Sequence, residues 1–368
     1  MDRVLLAGMV LMGTTVASAL LVPLTRFAGR RLGIMDAPGE RKVHQIPTAR
    51  TGGWAVMITF LGAILLAVYV GPSLEALPWL QARVGAALAM LREAYRVETK
   101  LVALFVGCVI AFSVGLADDI LGKRFPVVVK LLGQIAAAGV LVAADVKTSI
   151  LPYDWMNVAV TILWLVGITN AFNLLDNMDG LSGGVAFLAA FILLVNAWRL
   201  DEYFVSLILL AFMGSLLGFL FFNFQPASVF LGDCGSHLIG FALGAMTLLE
   251  RYVSHASGTL FPVLMPAIVL AVPIVDTATV IIIRLREGRP IYVGDSRHLS
   301  HTLVSLGFSQ RAAVLLLYLV TLSLGLGAVS LSDANPFQTF LILIQTAGFV
   351  AVTLLLMYKR AGRSKEAA

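Results

Sequence analysis

Carboxylates, amides and imidazoles are scarce in this sequence, and where they occur they cluster. Asp118 and Asp119 are adjacent in GLADDILGKRFPVVVK. Two neighbouring carboxylates at the end of an apolar run repel each other unless a cation or a shared proton relieves them, so they point to Mg²⁺ or to proton transfer. Lys130, one turn into the next apolar run, is an ammonium that calls for an anionic partner. The segment NAFNLLDNMDGLSGG supplies Asn173, Asp176 and Asp179, with Asn170 and Asn177 beside them. Such groups hydrogen-bond a nucleobase and ribose, or hold a hydrated Mg²⁺. A calcium loop starting at Asp176 would put Phe187 where its bidentate Glu must stand, which excludes an EF-hand. In FFNFQPASVFLGDCGSHLIG, Asn223 and Asp233 flank an apolar stretch, and Gly232 and Gly235 let the backbone approach a ligand closely. Ser236 there reads as the lead-in to a helix whose first N–H groups favour an anion. RLREGRPIYVGDSRHLSHTLVSLG brings Arg297, His298 and His301, the histidines one helical turn apart. No cysteine accompanies them, so the pair suits a sugar-diphosphate better than zinc. His44 and Arg50, in MDAPGERKVHQIPTARTGG, are cations suited to a phosphate or to lipid headgroups.

What positions these residues is a membrane scaffold. A chain of 368 residues that is 59% hydrophobic and 13% charged, with mean hydropathy +0.93, cannot present the surface of a soluble globule. The fold class expected is an all-α polytopic membrane protein. Apolar windows near 5–24, 54–70, 101–117, 127–142, 158–172, 181–197, 204–222, 237–249, 262–283, 312–331 and 337–357 give about eleven transmembrane helices. The ninth carries Pro266, Pro273 and Asp276 and is expected to be kinked or broken. Cys108 and Cys234 lack metal-site spacing and read as packed side chains. No signal-peptide cleavage pattern follows the first window, which reads as a retained helix.

Alternate loops differ in charge. One set (25–53, 118–130, 173–180, 223–236, 284–311 and the tail 359–368) holds 18 of the 26 Lys and Arg. By the positive-inside rule this set is cytoplasmic, with the N-terminus outside and the C-terminus inside. Four of the other eight lie between Arg83 and Lys100, where Leu80, Val84, Leu88 and Leu91 space like an amphipathic helix on the outer surface. Almost every cluster of acidic, Asn and His residues falls in the cytoplasmic set. Residues 1–358 therefore read as one transmembrane domain whose active site is built from loops, followed by a basic tail. The net charge of +5 serves topology and attraction of an anionic substrate, with no nucleic acid as partner.

DAPGERKVHQIP, ADD, NAFNLLDNMDGLSGG, FNFQPASVFLGDCGS and DSRHLSHTL, in this order from Asp36 to about Leu306, resemble the polyprenyl-phosphate N-acetylhexosamine-1-phosphate transferases of bacterial membranes (glycosyltransferase family 4). The resemblance implies a multi-pass enzyme of the bacterial cytoplasmic membrane. Such an enzyme moves a sugar-1-phosphate from a UDP-sugar to undecaprenyl or another polyprenyl phosphate, with Mg²⁺ (or Mn²⁺ in its place) and release of UMP. It implies that Asp233 binds the metal and that Asp118 and Asp119 serve the lipid phosphate or the metal. Asn173, Asp176 and Asp179 would take the uridine side, and His298 and His301 the diphosphate or sugar. Asn223, Lys130, His44, Arg50 and Arg297 complete the expected substrate-binding set. Asp295 three residues before His298, and an eleventh span, are closer to the branch using UDP-N-acetylglucosamine than to the ten-span phospho-MurNAc-pentapeptide translocase, which stays as an alternative. Two positions depart from the family pattern. Asn177 stands where glycine is usual, and Asn tolerates the left-handed backbone such a turn could need. Ser300 stands where many relatives have a further histidine, which bears on sugar preference.

Direct attack of the lipid phosphate on the β-phosphorus is the expected reaction, with double displacement through a carboxylate as the other route. A lipid-binding scaffold without catalysis has no use for these loops, and an ion-coupled transporter would place carboxylates near helix midpoints. Only Asp276 fits that second pattern. A homodimer is left open.

Overall fold

The computed structural model of the protein describes residues 2–37, 46–70, 73, 98–252, 261–290 and 297–366. All eleven apolar windows are helical. In chain order the helices are α1 (Asp2–Leu32), α2 (Gly52–Leu65, continued by a π turn Leu66–Val70), α3 (Glu98–Leu121), α4 (Val127–Ala143), α5 (Asp154–Leu175), α6 (Leu181–Arg199), α7 (Tyr203–Asn223) and α8 (Gly232–Leu249). There follow α9 (Met265–Val269), α10 (Ala271–Arg286), α11 (Leu299–Ser305), α12 (Gln310–Val329) and α13 (Pro336–Glu366). Among the described residues the only strands form a ribbon of β1 (Met35–Asp36) and β2 (Thr48–Ala49), antiparallel with Met35 opposite Ala49. The outer surface helix expected around Leu80 to Leu91 lies outside the described residues.

Eight of these helices are long and apolar enough to cross a membrane, or nine if one bent pair counts as a span. The bent pair is Phe261–Val269, whose last five residues are α9, and α10, which meet at 72°. Pro273 explains the break: it has no N–H to donate to the carbonyl of Val269, and helical bonding resumes only with Ile274 N to Leu270 O at 3.1 Å. Pro273 sits in the first turn of α10, where proline is tolerated. The helix α4 has only 17 residues, and α8 opens with Gly232, Asp233, Gly235, Ser236 and His237, too polar a start for a simple span.

The helix α8 is the hub. It is buried along nearly its whole length and packs on α2, α3 and α5, while α1 packs on α7 and α7 on α6. Glycines permit this closeness. A Cβ on Gly53 would lie 2.3 Å from Gly235 Cα, and one on Gly115 would lie 2.3 Å from Asp233 O. In a lipid-facing bundle such small residues let backbones touch and gain dispersion contacts. Gly53→Ala is therefore expected to force α2 from α8 and destabilise the protein by about 2 kcal/mol, seen as a lowered unfolding midpoint in detergent. Gly62→Ala on the same helix, with nothing within 4 Å, should leave the midpoint in place.

The two ends of the bundle differ. At one, Lys147 pairs with Asp154 at 2.6 Å, Asn196 donates to Glu250 at 2.7 Å, and Glu202 pairs with Arg251. At the other, the ends of α3, α5 and α7 meet the starts of α2, α4, α6 and α8, and the residues singled out above gather there.

Candidate active site

The adjacent carboxylates Asp118 and Asp119 point in different directions and do different work. Asp119 has a fully buried side chain. It accepts two backbone hydrogen bonds at the start of α8, from Asp233 N at 3.0 Å and Cys234 N at 2.9 Å. The helix N-terminus that the sequence offers to an anionic ligand is thus filled by the chain's own anion, which satisfies orphan donors and meets the positive end of the helix dipole. Because α8 begins at Gly232, Ser236 lies in its second turn and does not precede it. Gly232 is needed here: its φ is +77°, and a Cβ would lie 2.3 Å from Arg50 O.

Asp118 faces Lys130, whose ammonium donates to it at 2.7 Å and to Asn173 Oδ1 at 3.1 Å. The Asn173 amide nitrogen donates in turn to Asp233 Oδ1 at 2.7 Å and Ser236 Oγ at 3.0 Å. Four helices, α3, α4, α5 and α8, are joined by this one chain of polar contacts: Asp118, Lys130, Asn173, Asp233. One turn away a second amide pair, Gln134 and Asn170, bonds reciprocally at 2.7 and 3.3 Å. Gln134 was not anticipated, although it lies four residues from Lys130 and Asn170 three from Asn173, spacings that put each pair on one helix face. His237 donates from Nδ1 to the Asp233 carbonyl at 2.6 Å. Its Nε2 is buried with no hydrogen-bond partner among the described residues.

Arg50 approaches from the loop before α2. It pairs with Asp36 and stands 3.9 Å from Asp119. Burial works against its charge, but Asp36, Asp233 and Asp119 outweigh that and raise its pKa further above the ordinary value. The loop is held against the start of α8 by Gly52 N to Phe230 O and Gly53 N to Leu231 O, both 2.9 Å. His44 lies outside the described residues.

The loop between α5 and α6 brings Asp176 toward the same cluster. Burial first, then the charges of Asp233 and Asp119, push its carboxyl up to about 8, with Arg50 opposing. Folded protein thus keeps a proton on Asp176 that the unfolded chain releases near pH 4. The stability this contributes is complete below that pH and is lost as pH rises toward about 8. In metal-free buffer the unfolding midpoint should fall across that window, and Asp176→Asn should flatten the fall. Asp179 and Asn223 are tied to backbone. Asp179 accepts from Ala227 N at 2.9 Å; Asn223 accepts from Gly180 N at 3.0 Å and donates to Val229 O at 2.9 Å. They shape the loop, and the Asn223 amide has backbone partners on both sides.

The histidine segment is anchored from α10. Asp276, 1% exposed, accepts from His298 Nδ1 at 2.7 Å and from Leu299 N at 2.6 Å. It caps α11 and fixes the imidazole through one nitrogen. The single carboxylate that suited an ion path therefore belongs to this site. His301 lies one turn on, its ring centroid 6.5 Å from that of His298. Arg297 pairs with Glu287 at 2.7 Å. Ser300 donates to Asn177 Oδ1 at 2.6 Å, so the two departures from the family pattern touch each other. Asn177 has no positive φ; the left-handed residue of this loop is Gly180, at +77°. The asparagine is there for its side chain and not for its backbone freedom.

An apolar groove of about 310 Å³ lies between α5 and α10, lined by Val160, Leu163, Trp164, Gly167, Ile274 and Ile281 among others. Its lining reaches Ala171, two residues before Asn173, so the groove and Asn173 occupy opposite faces of α5.

A helical membrane bundle with an apolar groove and one polar end, carrying fixed carboxylates, a buried-edge lysine and paired imidazoles, has the make-up of a membrane transferase working on a lipid phosphate. The chain belongs to glycosyl transferase family 4, whose model matches residues 101–250. It is 31% identical over 333 residues to a probable undecaprenyl-phosphate N-acetylglucosaminyl 1-phosphate transferase of Bacillus subtilis, covering 88% of this chain and 84% of that one. It is 33% identical over 358 residues, 90% and 83% of the two chains, to a decaprenyl-phosphate N-acetylglucosaminephosphotransferase of Mycolicibacterium smegmatis. A phospho-N-acetylmuramoyl-pentapeptide-transferase of Levilactobacillus brevis is 45% identical, but over 91 residues, 25% of this chain and 28% of that one.

Proposed function

We propose that this protein transfers N-acetylglucosamine 1-phosphate from UDP-N-acetylglucosamine to undecaprenyl or another polyprenyl phosphate, releasing UMP and forming the lipid-linked precursor of a cell-envelope glycan. The observation that carries this is the chain Asp118, Lys130, Asn173, Asp233 at the polar end of an apolar helical bundle: it sets a phosphate-binding cation beside a candidate metal carboxylate. The N-acetylglucosaminyl relatives match over most of the chain and the muramoyl-pentapeptide relative over a quarter, which favours the simpler sugar.

In this reading Lys130, held by Asp118 and Asn173, receives the lipid phosphate, and the isoprenoid runs from it along the apolar helices. A phosphate monoester with a second pKa of about 6 is already largely dianionic at neutral pH, so Asp118 has little proton to remove and acts by holding Lys130. An oxygen of that phosphate attacks the β-phosphorus of the UDP-sugar, and the bond to UMP breaks in line. Among the described residues no three His, Cys, Asp or Glu side chains form a ready metal cage, but Mg²⁺ asks for only one or two carboxylates beside substrate phosphates and water. The mutual repulsion that raises Asp176 near Asp233 is what a cation would relieve. Asp233 and Asp176 would hold Mg²⁺, or Mn²⁺ in its place, and the bound ion supplies neutralisation of the diphosphate and of the departing UMP. Asp119 acts by fixing Asp233 at the head of α8. The polar end faces the cytoplasm, as the loop charges indicate, and about eleven spans run between the two faces.

The test uses purified protein in detergent with labelled UDP-N-acetylglucosamine, polyprenyl phosphate and Mg²⁺, scoring UMP. Lipid-dependent release supports transfer; release without lipid means hydrolysis, and no release overturns the reading. Preference for UDP-MurNAc-pentapeptide in the same assay would reassign the sugar.

A further inference from the structure

The loop that carries Asp176 and Asp179 and the short helix that carries His298 and His301 are 123 residues apart at the point where they touch, Asn177 and Ser300. Both partners are fixed. The Asn177 amide nitrogen donates to the carbonyl of Leu174 at 2.9 Å, in the last turn of α5. A carbonyl can only accept, so this sets the amide orientation and leaves Oδ1 for the Ser300 hydroxyl. Ser300 is 1% exposed and sits in the first turn of α11, whose start is gripped by Asp276 through Leu299 N and His298 Nδ1. The contact therefore ties the end of α5, which also presents Asn173, to a helix anchored independently on α10.

We infer that the Asn177 to Ser300 hydrogen bond is a positioning element that sets the spacing between the acidic loop and the histidine helix, and so governs acceptance of the donor sugar-diphosphate. The inference rests on the transferase reading and adds a division of labour within it. In that reading the lipid phosphate is met by Lys130, whose hydrogen bonds go to Asp118 and Asn173 and not to this pair. The nucleotide-sugar has to bridge the two segments the pair connects. Its loss should be felt in donor binding and not in acceptor binding.

A double-mutant cycle of Asn177→Ala, Ser300→Ala and the combination tests this. Each single change should raise KM for UDP-N-acetylglucosamine about tenfold, the worth of one well-formed hydrogen bond. KM for polyprenyl phosphate should stay within about twofold, and the double variant should be no worse than either single one. Additive losses of about a hundredfold, or equal shifts in both KM values, would overturn the inference. Hydrogen exchange on the backbone amides of residues 177–181 supplies a readout independent of turnover. Ser300→Ala should speed it, and unchanged exchange would also overturn the inference. A wild-type protein that releases no UMP, yet whose loop loosens in Ser300→Ala, sinks the transferase reading and keeps the latch.

Discussion

Replacing Asp233 with Asn is expected to lower turnover by on the order of 10³ while leaving the fold in place. The substitution is close to isosteric, and the new amide oxygen can still accept from Asn173, which donates to Oδ1 at 2.7 Å in the native protein. The backbone of residue 233 keeps its bond to Asp119, so α8 stays capped. What disappears is one negative charge at the point where four helices meet. Because that charge also raises the Asp176 carboxyl, removing it relieves a repulsion, and the variant should unfold at the same temperature as the parent or higher. Unimpaired fold with collapsed turnover identifies a functional charge. Near-normal turnover would remove Asp233 from the proposed cation site, and a lowered midpoint would make its role structural.

The second large effect is expected at Lys130. Lys130→Met keeps the apolar stem but strands Asp118 and leaves Asn173 Oδ1 without its donor. Breaking a fully buried ion pair costs about 3–5 kcal/mol. Here both partners remain a little under one-fifth exposed, so about 2 kcal/mol is the expected loss. Turnover at subsaturating lipid phosphate should fall about a hundredfold, with KM for the lipid rising more than KM for the nucleotide-sugar. Lys130→Arg is not a neutral exchange. A planar guanidinium is built to grip one carboxylate with two parallel bonds, whereas this site needs a point charge shared between a carboxylate and an amide. An intermediate loss is expected, and full activity in the arginine variant would show that charge alone matters.

Periodicity and composition carried the helices well, because a membrane leaves the backbone few alternatives and apolar runs announce themselves. Where the chain breaks was also legible, at Pro273. The sorting of polar clusters into alternate loops pointed to residues that the fold gathers at one end of the bundle. What each one does was not legible, since that depends on partners far along the chain. Nothing in the dipeptide Asp118-Asp119 reveals that one carboxylate takes Lys130 and its neighbour takes the start of α8. Asn223 looked like a ligand for substrate because asparagine often is, yet its amide is committed to Gly180 and Val229. Asp276 looked like an isolated intramembrane acid, and only the fold shows that it serves His298. Asn177 was assigned to backbone freedom by residue type, whereas its amide group accounts for it.

The cap on α8 also has a consequence for how the protein is made. Asp119 reaches forward 114 positions to the backbone of Asp233, so α3 is synthesised with a carboxylate whose partner does not yet exist. Four more helices must leave the ribosome before α8 can accept that carboxylate, and the Asn173 to Asp233 contact waits for the same event. A nascent chain halted after α7 carries Asp118, Lys130 and Asn173 but lacks Asp233 and the histidine helix. The polar end is therefore completed late, first by α8 and then by α10 and α11, which bring Asp276 and His298.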